Sequence, residues 1–140
     1  MDIERKIIKL LMKEGNIVFA DLVLYEEAID DEDMVLIEVM VDGKKNSYKS
    51  ENFFLALLNL RRELEKENIQ VICNGAAKNI YQSPMQMSMG SGRKAYKLCM
   101  GKQARNSDLV DIFDCDEDLE FVNIEEQSKY YDEWLKSIMV

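Results

Sequence analysis

The chain contains no histidine, one proline and three widely separated cysteines. Without histidine it lacks the commonest general base, so a serine or cysteine nucleophile would have no usual activating partner. Cys73, Cys99 and Cys115 form no Cys-x-x-Cys pair. They give neither a zinc-ligand spacing nor a disulfide framework, and reduced thiols in a cytoplasmic protein are expected. Cys73 and Cys99 fall within expected strands and read as small buried hydrophobes. A lone Pro84 argues against a long disordered spacer. No apolar run approaches the ~20 residues of a membrane span. The start, Met1-Asp2-Ile3-Glu4-Arg5-Lys6, is charged and lacks the pattern of a secretion signal.

Basic residues are also scarce, with 18 Lys+Arg against 27 Asp+Glu and a net charge of -9. That balance opposes binding to nucleic-acid backbones and to anionic membranes, and it favours a basic protein partner. Hydrophobic residues make up 47% of 140 residues, enough for one globular domain with a real core.

The acid is unevenly placed. Residues 26–33 hold six acids in eight positions, including Asp30, Asp31, Glu32 and Asp33. Residues 114–120 hold five in seven: Asp114, Asp116, Glu117, Asp118 and Glu120. Clustered like charge costs self-repulsion, so it points to solvation or to an oppositely charged partner.

Ile3, Ile7, Leu10 and Leu11 have helical spacing and predict an N-terminal helix over 2–14, stopped by Gly15. Ile17–Tyr25 and Met34–Val41 read as strands around the first acidic block. Asp42-Gly43 is a type I′ hairpin signal, returning through Lys44–Tyr48. Ser50 is the expected cap of a central helix running to about Asn68, with Phe54, Leu57, Leu58 and Leu64 inward and Arg61, Arg62, Glu63, Glu65, Lys66 and Glu67 outward. Strands follow at Ile69–Cys73, at the alternating Met85, Met87 and Met89, and at Lys94–Met100; a turn is expected at Asn74-Gly75. Leu109–Phe113 is a strand or a single helical turn. Asn123 and Glu126 start a last helix with Tyr131, Trp134, Leu135 and Ile138 on one stripe. Joined by hairpins rather than crossovers, these elements predict an α+β fold: a mainly antiparallel sheet with N-terminal, central and C-terminal helices.

Three local patterns invite chemistry. Asp114, Asp116, Asp118 and Glu125 match much of a calcium-loop spacing, but Leu119 stands where the turn needs glycine. Gly90-Ser91-Gly92-Arg93-Lys94 offers glycines and cations for a phosphate, yet lacks the P-loop ending and reads more readily as a hairpin turn. The methionine alternation suits either a core strand or an adaptable binding surface. No catalytic, metal or cofactor site is expected from these.

Two stretches, Asn79-Ile80-Tyr81-Gln82-Ser83-Pro84-Met85 and Met89-Gly90-Ser91-Gly92-Arg93-Lys94-Ala95-Tyr96, resemble segments of small bacterial immunity proteins. So do Asp108-Leu109-Val110-Asp111-Ile112-Phe113-Asp114 and the ending from Glu125-Glu126-Gln127 to Tyr131-Asp132-Glu133-Trp134-Leu135. The similarity covers roughly the C-terminal half and marks structure rather than a catalytic centre. It implies a cytoplasmic antidote to a polymorphic or contact-dependent growth-inhibition toxin, whose toxic domain is commonly a basic nuclease. The acidic composition independently suits a protein that covers a cationic cleft. The expected contacts are the acids of both blocks, with Tyr, Phe or Met anchors beside them. The alternative is a small-ligand or nucleotide-binding domain using Gly90–Lys94. A carboxylate-held metal enzyme ranks third.

Overall fold

Strand-favouring residues recur through the first fifty positions. They form four consecutive antiparallel strands: β1 (Ile3–Leu11), β2 (Ile17–Tyr25), β3 (Val35–Val41) and β4 (Lys44–Ser50). The computed structural model describes residues 3–82 and 91–139. With β5 (Gln70–Ile72) these strands make a five-stranded sheet in the order β4-β3-β2-β1-β5.

β1 corrects the expected N-terminal helix. The spacing of Ile3, Ile7, Leu10 and Leu11 fits a helix, but Ile8 and Leu10 also alternate, and β-branched isoleucines pack well on a pleated surface. All nine residues of β1 pair with β2. Gly15 is not a helix stop. It has φ +94° in the β1–β2 turn, where its amide donates to the Met12 carbonyl at 2.9 Å. The Asp42-Gly43 turn has both residues at positive φ, 51° and 76°, as a type I′ hairpin requires.

Helix α1 (Phe53–Lys66) lies against β3, β4 and β5. Its cap is Asn52 rather than Ser50, which belongs to β4; the Asn52 side-chain oxygen accepts from the Leu55 amide at 2.9 Å. Phe53, Phe54, Leu57, Leu60 and Leu64 meet Ile8, Leu10, Leu22, Ile37 and Val71 in one core. A smaller antiparallel sheet follows, β6 (Ile80–Tyr81), β7 (Lys94–Lys97) and β8 (Leu109–Asp111), and contributes Ile80 and Ala95 to the same core. The final helix, α2 (Ile124–Ile138), is capped by the Asn123 side chain accepting from the Glu126 amide at 2.8 Å. The methionine alternation at 85–89 lies outside the described residues.

Arg61 does not decorate the solvent side of α1; it is fully buried. Its guanidinium donates to the Gly75 carbonyl at 3.2 Å, to the Val122 carbonyl at 2.9 Å and to the side-chain oxygen of buried Gln127. The Gln127 amide nitrogen in turn faces the carbonyls of Gly75, Ala77 and Ile80 at 2.8, 3.0 and 2.8 Å. One polar cluster thus ties α1 and α2 to the turn after β5. Cys99 also departs from expectation: it is exposed just beyond β7, while Cys73 is buried, which pushes its thiol up to about 12.

Candidate protein-binding face

The pleat sends alternate residues of β1–β4 to opposite faces. One face carries Ile8, Leu10, Leu22, Leu24, Ile37 and Val39 under α1. The other is open and mixed, with Arg5, Lys9, Asp21, Glu38 and Lys45 set among its apolar side chains. Ile7 and Phe19 are each 65% exposed there, and Ile3, Ile17 and Met40 join them. Eight large hydrophobic side chains are exposed among the described residues, and five belong to this face, so the exposure is concentrated rather than scattered.

Polar groups break the face into two shallow concavities. In one of about 920 Å³, Glu38 lies between Tyr25 and Lys45. The Tyr25 hydroxyl donates to the Glu38 carboxylate at 2.6 Å, and the Lys45 ammonium lies 3.0 Å from it. The Tyr25 hydrogen bond, aided by Lys45, holds the Glu38 carboxyl below its ordinary 4.5, and the same hydrogen bond raises the Tyr25 phenol above its ordinary 10.0. A carboxyl depressed in the folded state contributes stability at neutral pH, lost as pH falls through the folded value. Side-chain carbon NMR should therefore place the Glu38 midpoint below 4.5, and Tyr25→Phe should move it upward; a midpoint at or above 4.5 in the unaltered chain would contradict the network.

The second concavity, about 470 Å³, is lined by Lys6, Ile7, Ile8, Lys9, Phe19, Ile72, Phe113, Asp114 and Cys115. Here apolar side chains, two lysines and the start of the second acidic block share one concavity. That block is anchored from below: Asn74 donates its amide to the Asp114 carbonyl at 2.7 Å and accepts the Asp116 amide on its side chain at 2.8 Å. Asp114 pairs with Lys6 of β1, Asp116 with Lys97 at 3.9 Å and Glu120 with Lys78 at 4.0 Å. Glu117 and Asp118 are exposed and have no ion pair among the described residues.

The first acidic block is the exposed loop between β2 and β3. Only Asp30 is paired, with Lys49 of β4 at 3.1 Å, and that hydrogen bond keeps its carboxyl below the usual range. Asp31, Glu32 and Asp33 have no ion pair among the described residues, and Ile29 beside them is 78% exposed. The two blocks do not merge. One is tied to edge strand β4 and the other to β1, three strand spacings or ~14 Å apart. The open face, apolar side chains mixed with charged ones, spans the interval, with the first block at its Ile3–Tyr25 end and the second along the side of β1.

The calcium-like spacing is not assembled into a cage. Glu125 lies in the first turn of α2, and no three acidic or cysteine side chains converge among the described residues. In the Gly90–Lys94 segment, Gly90 lies outside the described residues. Gly92 packs on Asn52 with φ +78°, and the Ser91 carbonyl accepts the Phe53 amide at 2.7 Å. Arg93 donates to Glu4 at 2.9 Å and Asp111 at 3.0 Å and lies over the Phe113 ring. The loop's arginine and the first helix amide are therefore committed within the protein.

Ile7 and Phe19 escaped the sequence reading. The signal was present in β2, where Ile17, Phe19, Val23 and Tyr25 share the open parity with a single charge, Asp21, more apolar than a solvated strand face usually is. No protein-family model matches the chain, and no curated protein matches it. Among the described residues, no helix is long and apolar enough to cross a membrane.

Proposed function

We propose that this chain is an immunity protein that binds a cognate basic toxin domain, a nuclease in the first instance, and neutralises it by covering its active site. The observation that supports this reading is the concavity in which the exposed Ile7 and Phe19 and the half-buried Ile72 stand beside Asp114, the first residue of the second acidic block. Affinity in an interface comes chiefly from a few desolvated anchors, whereas rim charge sets encounter rate and partner choice. The face supplies apolar anchors, and the acidic blocks at its margins carry the charge that favours a cationic partner. The residues divide the work. Phe19 and Ile7 anchor, Glu117 and Asp118 meet cations at the contact, and Asp31, Glu32 and Asp33 steer from the loop.

A toxin gene immediately upstream of this chain's gene would support the reading, and co-expression with the domain it encodes tests it. Cells carrying both should survive induction, and cells carrying the toxin alone should die; equal killing in both would reject it. Charge gives a finer test. Neutralising Asp114, Asp116, Glu117 and Asp118 together should slow association with that toxin domain and flatten its salt dependence, with folding intact. An association rate unchanged across salt would remove this block from the interface.

A further inference from the structure

Acid is absent from one long tract of this acidic chain. From Asn68 to Ser107 there is no Asp or Glu in forty residues, while Lys78, Arg93, Lys94, Lys97, Lys102 and Arg105 supply six cations. At the chain's average frequency such a tract would carry about eight acids. The fold gathers part of this tract around a concavity of about 740 Å³, whose lining includes Lys97, Lys102, Arg105, Gln103 and Ser107. That volume lies in the range of small-ligand sites, ~300–1,000 Å³.

The cations are mounted on fixed backbone. The Trp134 indole donates to the Cys99 and Lys102 carbonyls at 3.0 and 2.9 Å, and the Gly101 amide donates to the Ser137 hydroxyl at 2.8 Å. These bonds hold the 99–102 turn on α2. Asp108, the one acid lining the concavity, accepts the Arg105 amide at 2.9 Å and so closes the turn that presents Arg105. Lys102 and Arg105 have no ion pair among the described residues, and Lys97 has only Asp116 at 3.9 Å.

We infer that this concavity binds a compact phosphate-bearing anion, with Lys97, Lys102 and Arg105 holding a diphosphate group. Charge-assisted bonds from several fixed cations are the usual means of holding such a group. An extended nucleic-acid backbone is disfavoured, because it would run from the concavity over the Asp116–Asp118 block. The site is separate from the open sheet face and stands or falls independently of the toxin-binding proposal.

Amide NMR of the whole chain titrated with sodium pyrophosphate at low ionic strength tests this. Saturable shifts are expected at Gly101, Lys102, Gln103 and Arg105, with half-saturation at about 1 mM or below. The exposed Lys102→Glu/Arg105→Glu double variant should lose affinity by roughly tenfold or more while keeping its melting temperature. Lys94→Glu, the same type of charge change on β7 outside the concavity, should keep affinity within about twofold. A parallel titration with ADP distinguishes the source: tighter binding than pyrophosphate identifies a nucleotide, and equal binding identifies the diphosphate alone. No saturable shift, an unaffected double variant, or equal loss in Lys94→Glu would overturn the inference.

Discussion

Gln127→Leu should lower the melting temperature by roughly 12 °C, the largest effect expected of any single substitution here. The leucine fits the volume but leaves the buried Arg61 guanidinium without its side-chain acceptor and withdraws the donor shared by the Gly75, Ala77 and Ile80 carbonyls. Unmet buried hydrogen-bonding groups cost ~1–3 kcal/mol each, more when charged, so a total of about 4 kcal/mol is expected. Arg61→Met should be milder, about 2 kcal/mol, because it removes the charge together with its desolvation cost. Adding Arg61→Met to Gln127→Leu should then recover part of the loss, since the stranded charge is gone. Thermal denaturation of the three variants checks this. A Gln127→Leu shift under about 3 °C, or simple additivity, would show that the cluster is not a coupled unit.

Phe19→Ser should weaken binding to the cognate toxin domain by ~30-fold, about 2 kcal/mol, while leaving stability within about 0.5 kcal/mol. The ring is 65% exposed on the free chain, so folding loses little when it is removed. Binding loses an aromatic anchor at the junction of the apolar face and the acidic block. The loss should appear in the dissociation rate, whereas neutralising Asp31, Glu32 and Asp33 should act on the association rate and its salt dependence. Surface plasmon resonance separates the two. A Phe19→Ser variant with unchanged dissociation would move the anchor elsewhere.

The α+β class was legible because its signals are local. Asp42-Gly43 fixes a hairpin within two residues, Asn123 with Glu126 fixes a helix start, and the Ile17–Tyr25 run defines β2 to the residue. β1 was not legible from its own sequence. Four apolar residues at helical spacing sit in a segment that gains nine paired positions only when β2 lies beside it. Arg61 was hidden in an Arg-Arg-Glu-Leu-Glu-Lys run that reads as solvated, although it falls four residues after Leu57 and three before Leu64, on the buried stripe. Its partner Gln127 lies 66 residues away. The candidate site followed the same division. Both acidic blocks were plain in composition, but the apolar surface between them depended on the strand assignment of β1. Reading Ile3 and Ile7 as core removed from view the surface that gives the acid a neighbour to work with.

Amide hydrogen exchange on the complex with the cognate toxin domain tests the central claim most directly. Slowed exchange is expected along β1 and β2 around Ile7 and Phe19 and through residues 114–118, with the 97–105 segment unchanged. Protection confined to that segment or to α2, with β1 and β2 exchanging as in the free chain, would contradict the account.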